Sequence, residues 1–176
     1  NSPGEHILYL YLNEPDHTLH KKGTQSPDIT SLLIDIEKMM LQLSKMCADT
    51  LFIFTADHGF IDVDPLCLED YPELMNMLQV PPSLEPRAMN LFIKPEYLEK
   101  FCSLFHKITK NTYHLYSKQE VLKNALFGPP PVHPLLEEML GDYLAVAHTP
   151  LTLFPNRSYL DSMLVTHGGL TTDELL

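Results

Sequence analysis

At 176 residues, with 44% hydrophobic and 20% charged residues, the chain suits one globular domain with room for a small attached subdomain. Twelve Lys and Arg stand against 23 Asp and Glu, and the resulting net charge of -11 disfavours nucleic-acid polymers and anionic membrane surfaces as partners. An anionic substrate remains compatible, because bound divalent cations invert the sign locally.

His6 to Leu12 (HILYLYL) is a nearly continuous apolar run, the pattern of a strand covered on both faces of a parallel sheet. A polar loop follows from Asn13 to Pro27. Leu32, Leu33, Ile36, Met39, Met40, Leu43 and Met46 then recur at three- and four-residue steps, which predicts a long amphipathic helix with Ser26 as its cap. Leu51 to Ala56 reads as a second strand, so the order strand–helix–strand predicts a right-handed parallel crossover. From Asp62 to Pro86 the chain is acidic and Pro-rich, with a short helix predicted around Tyr71 to Leu78. A strand over Ala88 to Lys94, a helix over Pro95 to Thr109, a strand over Thr112 to Tyr116 and a helix over Lys118 to Leu126 follow. Gly128-Pro-Pro-Pro131 is a rigid break, and Asp142 to Ala147 with Pro150 to Phe154 read as a closing pair of strands. The predicted class is α/β, a partial doubly wound and mostly parallel sheet over residues 1–176 with a small α+β insert at 62–140.

Cys47, Cys67 and Cys102 are too dispersed for a metal clip or a disulfide framework, which favours a reducing, cytoplasmic setting, with an extracellular one as the alternative. Asn156-Arg157-Ser158 fits a glycosylation acceptor, a pattern short enough to arise by chance. No apolar stretch reaches the roughly 20 residues of a membrane helix, so no membrane partner is expected. The chain opens on Asn1-Ser2-Pro3-Gly4 and stops on what reads as the first turn of a helix, Thr171 to Leu176, so both ends look cut.

The chemistry is concentrated in three places. Asp57-His58-Gly59 ends the second predicted strand on a carboxylate, an imidazole and a glycine. Asp16 and His20, four apart, share one face if that stretch is helical, and His167-Gly168-Gly169 lies near the end. Asp and His are ligands suited to Zn²⁺ or Mn²⁺, and open α/β sheets gather ligands at the carboxyl ends of their strands. Against this, Asp57 would serve equally as a strand-exit cap, and a solvated loop would explain Asp16 and His20. The reading rests on three such groups occurring together.

Glu14-Pro15-Asp16-His17-Thr18-Leu19-His20, Thr55-Ala56-Asp57-His58-Gly59 and His167-Gly168-Gly169 resemble the metal-binding motifs of the alkaline phosphatase superfamily. The match is closest to its type I phosphodiesterase/nucleotide pyrophosphatase branch, and it covers only the carboxyl-terminal part of that domain. The resemblance implies that Asp16, His20 and His167 hold one divalent ion and Asp57 with His58 a second, zinc in the usual case and manganese as an alternative. In that family the paired ions, roughly 4 Å apart, clamp a phosphoryl group attacked by a Thr or Ser nucleophile. The family's nucleophile and a further ligand aspartate precede the position of Asp16, so no catalytic nucleophile is assigned here and the second ion keeps two protein ligands. Leu19 stands where the family usually carries glycine. Arg87 is a candidate for a substrate phosphate, or a salt-bridge residue within the insert.

The function expected is that of a fragment of a metal-dependent hydrolase for phosphodiester or pyrophosphate bonds, inactive as it stands, with a phosphate ester or nucleotide as substrate. The alternatives are a phosphomutase or phosphomonoesterase of the same superfamily, or a non-catalytic metal-binding half-domain. Loss of the first strands would expose a sheet edge and apolar surface, so self-association is expected.

Overall fold

The computed structural model describes residues 4–160 and 164–168. Gly169 and the terminal stretch from Thr171 to Leu176 lie outside the described residues. Helix α1 (Asp16–Lys22) is followed by α2 (Pro27–Met46), whose start matches the sequence. Ser26 caps it by accepting from the Asp28 N–H, and Pro27 fills the first helical position, where its missing N–H costs nothing.

Short strands β1 (Ile61–Asp62) and β2 (Asp64–Cys67) come next, then helix α3 (Pro72–Met77). β3 (Ser83–Glu85), β4 (Ala88–Leu91), α4 (Leu98–Thr109), β5 (Tyr113–Ser117), α5 (Lys118–Lys123), α6 (Leu136–Met139) and β6 (Tyr143–Ala147) follow. The described part closes with β7 (Leu151–Phe154), α7 (Arg157–Leu160) and β8 (Val165–Thr166). The class is mixed α/β. Among the described residues no helix is long and apolar enough to cross a membrane.

The largest sheet has four antiparallel strands in the order β3-β4-β6-β5. β6 is an inner strand, set between β4 and β5, and is covered on both faces. Ala145 and Ala147 meet Phe101 and Phe105 of α4 with Met89, Leu91 and Tyr113, whereas Leu144 and Val146 pack on the other side with Val121 and Leu140. That two-residue alternation is the strand period, and it explains why the whole run reads as apolar.

Two expectations are not met within this chain. No strand forms over 6–12 or 51–56, and the sheets present are small and mostly antiparallel rather than doubly wound and parallel. Leu8 is 91% and Leu51 84% exposed, so neither run has the neighbours that a buried strand requires. β6 and β7 are both strands, but they do not pair with each other. β6 is bonded to β4 on one side and β5 on the other, which leaves it no edge, and β7 pairs in parallel with β2.

Tyr113 joins the four-stranded sheet to the β2–β7 pair. Its buried hydroxyl donates to Pro86 O at 3.0 Å and accepts from the Leu153 N–H at 2.9 Å, and burial raises its pKa. Tyr113→Phe leaves two interior main-chain groups without partners and is expected to destabilise the fold by about 2–3 kcal/mol, read from the midpoint of urea unfolding.

Candidate metal centre

Three segments converge beside α1. The helix carries Asp16 and His20 one turn apart on the same face, as the four-residue spacing requires. β8 pairs with β1 in antiparallel fashion, Leu164 N–H donates to His20 O at 3.0 Å, and the chain leaves β8 directly into His167. Beneath them Leu19, Ile29 and Val165 form a small apolar cluster with Phe60 against it. Leu19, the residue standing in the place of the usual glycine, is thereby used as packing: its side chain seats α1 on α2 and β8.

Asp16, His20 and His167 offer one carboxylate oxygen and two imidazole nitrogens, all within 4.8 Å of one another. His20 Nδ1 lies 2.9 Å from Val165 O. A carbonyl only accepts, so Nδ1 is the donor here, and Nε2 is turned to the Asp16 side, 3.7 Å from Oδ1. An imidazole held through one nitrogen by a main-chain carbonyl is the usual arrangement of a metal-ligating histidine. Burial pushes the pKa of His167 below its ordinary value, His58 and His20 push the same way, and Glu85 and Asp16 oppose them. The neutral ring, the form that ligates metal, is thereby favoured. The donor set and its spacing fit a divalent ion of the zinc type.

His58 joins the group from the other side. Its ring stacks on His167 with centroids 3.9 Å apart, and its Nε2 lies 3.7 Å from Asp16 Oδ1. Asp57 is the outermost member: its side chain is 70% exposed and its Oδ1 lies 3.6 Å from His58 Nε2. Thus Asp16, His20, His58 and His167 gather closely, with Asp57 at the rim. Phe60 was not singled out by the sequence, yet its ring lies edge-on to His20, His58 and His167 at 5.0, 5.2 and 5.6 Å. It is an apolar wall that shields one side of the cluster. Its only sequence signal is an aromatic residue two positions after an Asp-His pair.

Asp62 also works here, accepting from the N–H and hydroxyl of Thr24 and so tying the loop after α1 to β1. His17 points away from the group; its ring nitrogen meets Lys21 Nζ at 3.0 Å on the exposed side of α1. Arg87, expected at a substrate phosphate or in a salt bridge, is 0% exposed. Its guanidinium donates to the main-chain oxygens of Gly168 at 3.1 Å and Thr149 at 2.6 Å.

A family profile described as type I phosphodiesterase / nucleotide pyrophosphatase matches residues 4–168. The chain belongs to that family. Among solved structures, this family member is similar to murine ectonucleotide pyrophosphatase / phosphodiesterase 5 at 20% identity and a TM-score of 0.68. It is also similar to an inactive variant of the murine protein in complex with AMP, at 20% identity and 0.65, and to the human protein at 18% and 0.65. In each case the match covers 92% of this chain and 43% of the other, so the phosphodiesterase-family chain spans less than half the length of these structures. At such identities the likeness is one of fold. No curated protein matched the sequence.

Proposed function

We propose that this chain is the metal-binding, carboxyl-terminal part of a hydrolase that cleaves phosphodiester or pyrophosphate bonds. The observation that carries the reading is the meeting of Asp16, His20 and His167 within 4.8 Å, with His58 stacked alongside. Asp16, His20 and His167 hold one divalent ion; Asp57 and His58 begin a second site whose remaining ligands lie in sequence outside this chain. Bound there, a pair of ions of the zinc type supplies charge that neutralises a phosphoryl group and its leaving oxygen. The protein's own part is to orient: Val165 O fixes the His20 tautomer, and Phe60 excludes water from one flank.

The attacking Thr or Ser belongs to the upstream part of the domain, where the runs 6–12 and 51–56 take their places in a parallel sheet. Residues 62–140 form the insert beside it, with β6 completing the insert's sheet. A nucleotide is the first substrate to try, because one of the similar structures holds AMP. In a longer protein that adds the upstream part, bis-nitrophenyl phosphate is expected to be hydrolysed much faster than the nitrophenyl monoester, while the 176-residue chain alone turns over neither. A longer protein that prefers the monoester, or loses no activity with Asp16→Ala, would overturn the proposal.

A further inference from the structure

The turn between β3 and β4 does more than reverse the chain. Pro86 and Arg87 are its two residues, and both are fixed from behind: Pro86 O accepts from Tyr113 Oη at 3.0 Å and Arg87 O from the Ala147 N–H at 2.9 Å. From this anchored backbone the Arg87 side chain runs inward, fully buried. Nε donates to Gly168 O at 3.1 Å, and Nη1 reaches Thr149 O at 2.6 Å, Leu151 O at 3.4 Å and Thr152 Oγ1 at 3.3 Å. One planar cation therefore gathers main-chain oxygens from two segments far apart in sequence, the approach to β7 and the residue after His167. A guanidinium suits this task because its donors are held in a rigid fork, whereas an ammonium offers a point charge on a flexible stem.

Gly168 is pressed against the same turn. Its φ is +86°, and a Cβ built on it would lie 3.3 Å from Glu85 Cβ and 3.9 Å from Arg87 Cβ. The backbone next to His167 is thus held by a hydrogen bond from Arg87 and by close contact with the turn, in a conformation that glycine adopts without strain.

We infer that Arg87 is a positioning residue: through Gly168 it fixes the placement of His167, so that the β3–β4 turn of the α+β unit sets the geometry of the ion site. The inference rests on the reading of Asp16, His20 and His167 as ligands. It gives Arg87 a role different from contact with substrate phosphate, since its Nε and Nη1 donors are engaged in the interior by main-chain oxygens and Thr152 Oγ1.

The test compares four variants of the full chain with zinc as the probe, using competition with a chromophoric chelator. Arg87→Lys keeps a cation but cannot span the same oxygens, and Gly168→Ala adds a Cβ where the backbone is tight. Both are expected to lower zinc affinity by about 10–100-fold, the range typical of residues that orient a ligand. Thr152→Val removes a different partner of Arg87 and is expected to lower stability while leaving zinc affinity within a factor of about two; His167→Ala is the reference for loss of a ligand. In metal-free protein, Arg87→Lys is also expected to shift the ring resonances of His167 in an NMR spectrum and to leave those of exposed His133 in place, a change that general loss of stability would not produce. Wild-type affinity in folded Arg87→Lys and Gly168→Ala, with affinity lost in His167→Ala, would overturn the inference and leave the ligand reading standing. Unchanged affinity in His167→Ala would overturn both.

Discussion

Replacing His167 or Asp16 with alanine is expected to weaken binding of a divalent ion, with zinc affinity falling by more than about 100-fold, the upper end of what even orienting residues cost. The expectation follows from ligand count. Asp16, His20 and His167 supply three donors, the number a catalytic zinc site takes from its protein before water fills the open position. Two donors leave the ion mostly hydrated and exchangeable. Asp57→Ala should behave differently, because that carboxylate lies at the rim with a largely exposed side chain. It is expected to leave the first ion in place. Metal content of protein purified without chelator, together with chelator competition, reads all three variants. Unchanged content in both Asp16→Ala and His167→Ala would remove the chemical basis of the site.

The site was more legible in the sequence than the sheet that was to carry it. Asp16 and His20 announce themselves by residue type and a four-residue step, and a helix does bring them onto one face. His167 could be placed with them only through resemblance to a family, since nothing local to it says which distant segment it meets. The hydrogen bond of His20 to Val165 O, the ring of Phe60 and the grip of Arg87 on Gly168 were all invisible. Each depends on contacts between segments far apart in the chain, which local periodicity does not encode. The surroundings of Arg87 are hidden for a physical reason: a guanidinium suits phosphate oxygens and main-chain carbonyls equally, and the sequence does not show that this one is buried.

Local elements were read well wherever a cap or a period marked them. Ser26-Pro27 opened α2 at the predicted residue, and the apolar face of Phe101 and Phe105 identified α4. The capping box of Ser117 and Glu120 at the start of α5 carries the same kind of mark. β2 escaped notice because Pro65 lies inside it, and proline within a short run argues against a strand. The runs 6–12 and 51–56 show the opposite limit. Their composition specifies an apolar environment on both faces, but a strand also needs a ladder of partners, and composition does not supply one.

That unfilled demand has a measurable consequence: the chain is expected to associate as its concentration rises. Ile7, Leu8, Tyr9 and Leu10 are largely exposed, as are Leu51 and Ile53, and Leu33, Ile34 and Leu41 of α2 add further apolar surface. Monomeric proteins rarely show contiguous apolar patches beyond a few hundred Å². Covering even a few such side chains is worth about 1.5–3 kcal/mol each, so a second copy laid over these runs would gain enough to offset the cost of association. The net charge of -11 opposes this through mutual repulsion. Raising the salt from about 0.01 to 0.15 M shortens the screening length from roughly 30 to 8 Å, and association should therefore strengthen with salt, the reverse of what ion pairing between copies would give. Light scattering on a sizing column across a dilution series would read both trends, and Ile7→Lys combined with Ile53→Lys is expected to shift the population toward monomer at every salt concentration. A monomer unmoved by concentration and by salt would show that these runs find their cover within one chain.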